Sequence, residues 1–125
     1  MAIASVLTDS FKTELMRSGH NFDTAGATPA GNAFKLALYT SSANLGTTTT
    51  VYSATNEITN DAGSAYVAGG KALTESGVTT STVTSHTDFA VLSVANGTAW
   101  TSASFTTRGC LIYNTTAISG FTTNR

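Results

Sequence analysis

Threonine fills about a fifth of this chain and serine about a tenth, while charged residues make up only 10%. Soluble domains usually carry about 25% charged residues, so hydroxyls here stand where charges normally do. Threonine is β-branched and loses little freedom on a pleated surface, and its hydroxyl keeps an exposed face wet. A chain built this way is expected to fold as strands. At 125 residues, with 41% hydrophobic content, it has the size of one domain and can bury a core without disulfides or metal.

The formal net charge is -1, and the six basic residues are scattered, with Lys12 and Arg17 the nearest to a cluster. Nucleic acid is a poor partner for such a surface, because binding phosphates needs several convergent cations. An acidic lipid surface is excluded on the same ground. No apolar run approaches the roughly 20 residues that span a bilayer, so no membrane is expected as a partner. The start of the chain lacks the basic flank, apolar core and cleavage site of a signal peptide. Synthesis and folding in a cytoplasm are therefore expected. Cys110 is the only cysteine, which rules out an intrachain disulfide and a cysteine metal site. Set between Gly109 and Leu111, it reads as a small buried hydrophobe.

Ile3, Leu7, Phe11 and Leu15 recur every four residues, flanked by Val6 and Met16, and predict an amphipathic helix over about residues 3–18. Arg17 in the last turn and Gly19 beyond it form a helix stop. Residues 20–32, with the only proline at Pro29, read as a loop. From residue 34 onward the pattern is strands and turns. Phe34, Leu36 and Leu38 alternate with Lys35, Ala37 and Tyr39. A weaker strand is expected over 51–58, a turn at Asn60 to Gly63, and a bulge or tight bend at Gly69-Gly70 between Tyr66-Val67 and Lys71-Ala72-Leu73. Residues 78–84 read as a threonine-rich strand, residues 88–95 as a core strand, and Asn96-Gly97 as a hairpin turn returning through Trp100 and Phe105. Gly109 to Tyr113 is a further apolar strand. The fold class expected is mainly β, an antiparallel sandwich or barrel-like domain with one short N-terminal helix, spanning residues 1–125 as a single unit. A final strand beyond residue 125, or one supplied by a neighbour, is expected to cover the last edge.

The chemistry-bearing residues form no catalytic pattern. His20 and His86 lack metal-ligand spacing to another ligand and read as surface histidines. No nucleophile elbow, phosphate loop or dinucleotide fingerprint occurs, so no cofactor is expected. Glu57 with Asn56, Asn60 and Asp61 supplies too few oxygens for calcium, and a turn is the better account. Glu57, Glu75 and Asp88 read as exposed solubilising charges rather than a glycosidase pair. The acceptor patterns at Asn96 and Asn114 are chance matches in a threonine-rich chain. Tyr39, Tyr52, Tyr66, Trp100 and Tyr113 read as core or sheet-face aromatics rather than sugar platforms.

Several segments, taken in order, resemble a family of small virion proteins of tailed bacteriophages, including phages of cyanobacteria. They are Ser10 to Leu15, Phe34 to Ser41, Thr55 to Ile58, Arg108 to Asn114 and, most specifically, Ala65-Tyr66-Val67-Ala68-Gly69-Gly70-Lys71-Ala72-Leu73-Thr74. The resemblance covers nearly the whole chain, although such proteins usually continue into another apolar strand after a segment like Thr123-Asn124-Arg125. It implies a non-enzymatic virion part, with a capsid cement or decoration protein expected first and a tail, neck or baseplate component second. A host-surface carbohydrate-binding module is a third reading. The expected partners are the major capsid protein or other virion proteins, together with further copies of the chain as a dimer or trimer. Phe34, Leu36, Leu38, Tyr39 and Phe121 are the candidate contact residues.

Overall fold

A computed structural model describes residues 3–23, 26–59, 66–75, 78–80, 85–86, 89–90, 100 and 102–125 of the chain. Among them are one helix, α1 (Asp9–Met16), and seven strands. The strands are β1 (Phe34–Tyr39), β2 (Lys71–Ala72), β3 (Thr74–Glu75), β4 (Thr79–Thr80), β5 (Ser85–His86), β6 (Phe89–Ala90) and β7 (Gly109–Asn114). The principal sheet is antiparallel with order β2-β1-β7, and β3-β6 and β4-β5 form two-stranded antiparallel pairs. A mainly β fold with one short helix is what the described residues form.

The two six-residue strands are the alternating segment from Phe34 and the apolar segment from Gly109, and they pair along their whole length, from Phe34 opposite Asn114 to Tyr39 opposite Gly109. On one face Ala37, Tyr39 and Tyr113 are buried with Ala43, and Ile3, Leu45, Tyr52 and Leu111 pack around them. On the other face Phe34 is buried and stacks on Phe22, with ring centroids 5.0 Å apart. Burying both faces is what the mixed alternation of β1 requires.

The helix is half as long as its apolar spacing suggests. Thr8 caps it, its hydroxyl accepting from Phe11 N–H at 3.1 Å. Residues 3–8 run instead beside residues 45–47, with Ala4 N–H on Leu45 O and Asp9 N–H on Thr47 O. Ile3 lies against Gly109, where an added Cβ would come within 2.7 Å of its side chain. Tertiary packing of Ile3 thus overrides the four-residue period. Leu7, Leu15 and Met16 are left exposed, and no residue of α1 is buried. At the far end Ser18, with φ 60°, takes the left-handed position, while Gly19 leaves room for the Phe121 ring and Glu14 O.

Residues 51–58 are not a strand. Their one ladder contact is an isolated antiparallel bridge from Glu57 to Tyr39, because a turn closed by Glu57 N–H on Ala54 O, with Asn56 at φ 62°, interrupts the segment just before it. The Gly69-Gly70 bend is as expected, closed by Gly70 N–H on Val67 O at 3.0 Å. Gly70 has φ 71°, and a Cβ there would lie 2.0 Å from Leu36 O, so only glycine lets the bend press against β1. Residues 60–65, 81–84, 88 and 91–99 lie outside the described residues. The expected turn at 60–63, most of the strands at 78–84 and 88–95, and the Asn96-Gly97 hairpin fall there. Trp100 and Phe105 are not strand residues; both rings pack on Tyr66.

Candidate functional site

Three features concentrate the polar chemistry of the described residues. The first surrounds Glu57, which is 5% exposed rather than a solubilising surface charge. Its Oε1 accepts from Tyr66 Oη–H at 2.6 Å and Gly69 N–H at 2.7 Å, and its Oε2 accepts from Tyr52 Oη–H at 2.5 Å. Tyr66 Oη in turn accepts from Leu38 N–H, Tyr39 donates to Ser53 O, and Tyr113 donates to Gly69 O at 2.6 Å. All four tyrosines of the chain therefore converge on this carboxylate or on the turns that hold it. Burial, followed by the negative charge of Glu57, pushes the Tyr39 hydroxyl up to about 12. Burial also raises Tyr52, Tyr66 and Tyr113, with hydrogen bonds to Glu57 adding to the rise at Tyr52 and Tyr66. With three short bonds to it, the carboxylate holds Tyr52, Tyr66 and the Gly69 turn together.

The second feature ties α1 to β7. Asn114 is fully buried; its Oδ1 accepts from Thr116 N–H, and its Nδ2 donates to Asn32 Oδ1 at 2.8 Å and His20 Nδ1 at 3.0 Å. His20 Nδ1 must then be an acceptor, so Nε2 carries the proton and donates to Glu14 Oε2 at 3.0 Å. Arg125 Nε lies 3.1 Å from the same oxygen as an ion pair, at an angle short of a hydrogen bond. The Arg125 Nη atoms donate to Thr122 O, Thr116 O and Gly19 O. His20 is buried and not a surface residue, and desolvation lowers its affinity for a proton against the opposing pull of Glu14. Both ring nitrogens are engaged, which leaves neither free to activate a nucleophile.

The third feature is a cavity of about 540 Å³ between residues 3–8 and β7. Phe11, Phe22, Phe34, His20, Cys110 and Ile112 are among the residues that line it. Cys110 is exposed, not a buried hydrophobe, because it projects from an unpaired sheet margin.

The sequence-derived contact residues are dispersed. Phe34 and Tyr39 are buried, and Leu36 and Leu38 are half-buried in a strand flanked on both sides, so contact along β1 would require displacing β2 or β7. Phe121 is half-buried between the guanidinium groups of Arg17 and Arg125, at 4.9 and 5.1 Å from its ring centre. Tyr66 is 1% exposed and Tyr52 stacks on Tyr113 at 4.6 Å, which removes them as sugar platforms. Asn114, being fully buried, is inaccessible as a glycan acceptor. No group of three or more His, Cys, Asp or Glu that could hold a metal occurs among the described residues. No helix among them is long and apolar enough to cross a membrane.

Glu57, Asn114 and Arg125 organise the structure, although the sequence reads Glu57 as an exposed charge and Asn114 as a chance acceptor match and gives Arg125 no role. The one signal present was Glu57 itself, a carboxylate inside an apolar-alternating segment that also carries Tyr52. No protein-family model, curated protein or solved structure matches the chain.

Proposed function

We propose that this chain is a non-enzymatic structural subunit of a bacteriophage virion, a capsid cement or decoration protein that stabilises an assembled head shell. The observation that carries the reading is the outer edge of β7, which is open, uncharged and apolar among the described residues. Soluble proteins usually defend such edges with charge, proline or a covering element, and an undefended edge suits pairing with a neighbour. The resemblance of the Ala65–Thr74 block to small virion proteins supplies the biological setting. The two additional antiparallel pairs, β3-β6 and β4-β5, support extending the mainly β description to a sandwich or barrel-like closure.

The mechanism is thermodynamic. A protein that binds the assembled shell and not its separated subunits stabilises the shell by mass action, and many copies multiply the effect without any chemistry. The internally satisfied polar clusters suit such a role, since they hold a rigid surface in place. The partners in this reading are the major capsid protein and further copies of the chain, and the location is the virion, assembled in the host cytoplasm. Shells assembled without the protein are expected to rupture at lower temperature than shells carrying it. Equal rupture thresholds would overturn the reading. Imaging of intact particles separates a head location from the tail or neck.

A further inference from the structure

We infer that the edge of β7 pairs with the same edge of a second copy of this chain, antiparallel about a two-fold axis at Leu111. The inference rests on the reading of the chain as a contact-making subunit and names the first of its contacts.

The hydrogen-bond directions along the sheet identify which backbone groups are open. Thr115 N–H bonds to Ala33 O, whereas Leu73 N–H bonds to Phe34 O and Ile58 N–H to Leu38 O. Phe34, Leu36 and Leu38 therefore direct their backbone groups away from β7, and Lys35, Ala37 and Tyr39 direct theirs toward it. In the register observed, Gly109, Leu111 and Tyr113 face β1. Cys110, Ile112 and Asn114 face outward. Asn114 N–H is occupied by Arg125 O at 2.6 Å, and just before the strand Arg108 N–H is occupied by Tyr39 O at 2.8 Å. Cys110 and Ile112 are left, and neither has a backbone partner on its outward side among the described residues.

These two residues fix one register. Antiparallel pairing centred on Leu111 sets Cys110 opposite Ile112 of the second copy and Ile112 opposite its Cys110. Each pair exchanges two N–H···O bonds, four in all, as in the closely spaced pairs of an ordinary antiparallel ladder. A shift by two residues in one direction places Arg108, whose N–H is occupied, in a bonding position. The opposite shift does the same with Asn114. Either shift leaves an open carbonyl of each copy, Ile112 O or Cys110 O, facing an occupied N–H and so without a donor.

Charge and shape agree with a second copy as the occupant. No charged residue lies between Gly109 and Asn114, and the pairing sets Arg108 opposite the uncharged Asn114, so no like charges meet. Cys110 and Ile112 share the cavity face of the sheet. The side chain of the second copy's Ile112, 48% exposed in one copy alone, then covers Cys110, which lines the cavity. Val6 and Leu7, exposed on the opposite wall, extend the contact. A six-residue edge alone falls short of the roughly 1,200 Å² that stable interfaces bury, so a reversible dimer is expected.

Sedimentation velocity on the full chain is expected to show its mass rising with concentration from 12.8 kDa toward twice that value. Amide hydrogen exchange at Cys110 and Ile112 is expected to slow as concentration rises, while exchange at Arg108 and Asn114 stays constant. Ile112→Lys, which introduces a charge at the edge, is expected to abolish both effects with an unchanged far-UV spectrum. Ile112→Pro removes an outward N–H and no bond to β1, is expected to do the same, and serves as the second variant. A chain that stays monomeric at every concentration overturns the inference, as does a dimer that survives Ile112→Lys or one that protects other amides, including a dimer formed through another surface. A monomeric protein that still raises the rupture threshold of shells would overturn the pairing and leave the structural reading standing. A dimer that leaves the threshold unchanged would do the reverse.

Discussion

Tyr66 and Glu57 meet through a 2.6 Å hydrogen bond in which both side chains are buried, and the same tyrosine oxygen accepts from Leu38 N–H of the central strand. One hydroxyl thus joins the carboxylate to the sheet. Tyr66→Phe removes it, leaving a strand N–H and a carboxylate lone pair unsatisfied, and is expected to cost about 1–3 kcal/mol. Glu57→Ala strands the hydroxyls of Tyr52 and Tyr66 and Gly69 N–H together, and is expected to cost more, about 3–5 kcal/mol. Glu57→Gln keeps the size and some acceptors and should fall between. Urea denaturation of the three variants checks the order, and a smaller loss for Glu57→Ala than for Tyr66→Phe would contradict the hub role of the carboxylate.

The tyrosine cluster also sets an alkaline limit. Free tyrosine ionises near 10, and in the fold Tyr39 is pushed up to about 12, with the other three raised as well. Between those values the unfolded chain has released protons that the folded chain retains. Stability is therefore full below pH 10 and falls as pH rises through the window above it. Absorbance of tyrosinate at alkaline pH should rise cooperatively with loss of far-UV signal, instead of as four independent titrations.

Acid acts through His20. Its folded value lies below the ordinary 6.5, chiefly because of burial, so below 6.5 the unfolded chain binds a proton that the folded chain refuses. Stability is full above that pH and declines as pH falls through the folded value. The protonated ring would also turn a second N–H toward the amide of Asn114, which already donates there. Denaturation midpoints measured from pH 7.5 down to 5 should fall for the wild type and flatten in His20→Gln. An equal slope in both proteins would assign the loss to another group.

The glycine pair offers a steric contrast. Gly70→Ala places a Cβ 2.0 Å from Leu36 O at φ 71°, and is expected to cost more than about 4 kcal/mol or prevent folding. Gly69→Ala meets only Tyr113 Oη at 3.8 Å, so it carries just the strain of φ 93°, about 1 kcal/mol. Thermal melts of the two variants should differ widely, and similar melts would show that the bend relaxes away from β1.

These contrasts explain what was legible beforehand. Strands β1 and β7 are legible because the one alternates, the other is an apolar run opened by Gly109, and the two pair with each other, so local pattern and tertiary contact agree. The helical period extends further than the helix because Ile3 and Leu7 keep it while Ile3 is drawn onto Gly109, a contact between positions 106 apart in sequence. Val51, Tyr52 and Ile58 favour a strand over 51–58, but the turn closed by Glu57 N–H on Ala54 O, with Asn56 at φ 62°, interrupts the ladder. The polar hubs were illegible for a related reason. Asn114, His20, Asn32, Glu14 and Arg125 are isolated polar residues in the sequence, and nothing in their spacing reveals that four segments bring them into one chain of hydrogen bonds. Cys110 was misjudged because apolar neighbours do not show which strand lies at a margin.

The clasp around Arg125 has a temporal meaning. Its guanidinium binds Gly19 O and Glu14, its own carbonyl receives Asn114 N–H, and the neighbouring Asn124 O receives Tyr52 N–H. Each link closes a loop of about ten to more than a hundred residues, and long loops are slow to close. During synthesis Glu14, Gly19 and Tyr52 emerge well before the groups that bind them, so the helix stop and the segment at Tyr52 wait without their anchor until residues 124 and 125 emerge. Consolidation of these contacts is therefore expected to follow the emergence of residue 125, and until then their polar groups stay open to water.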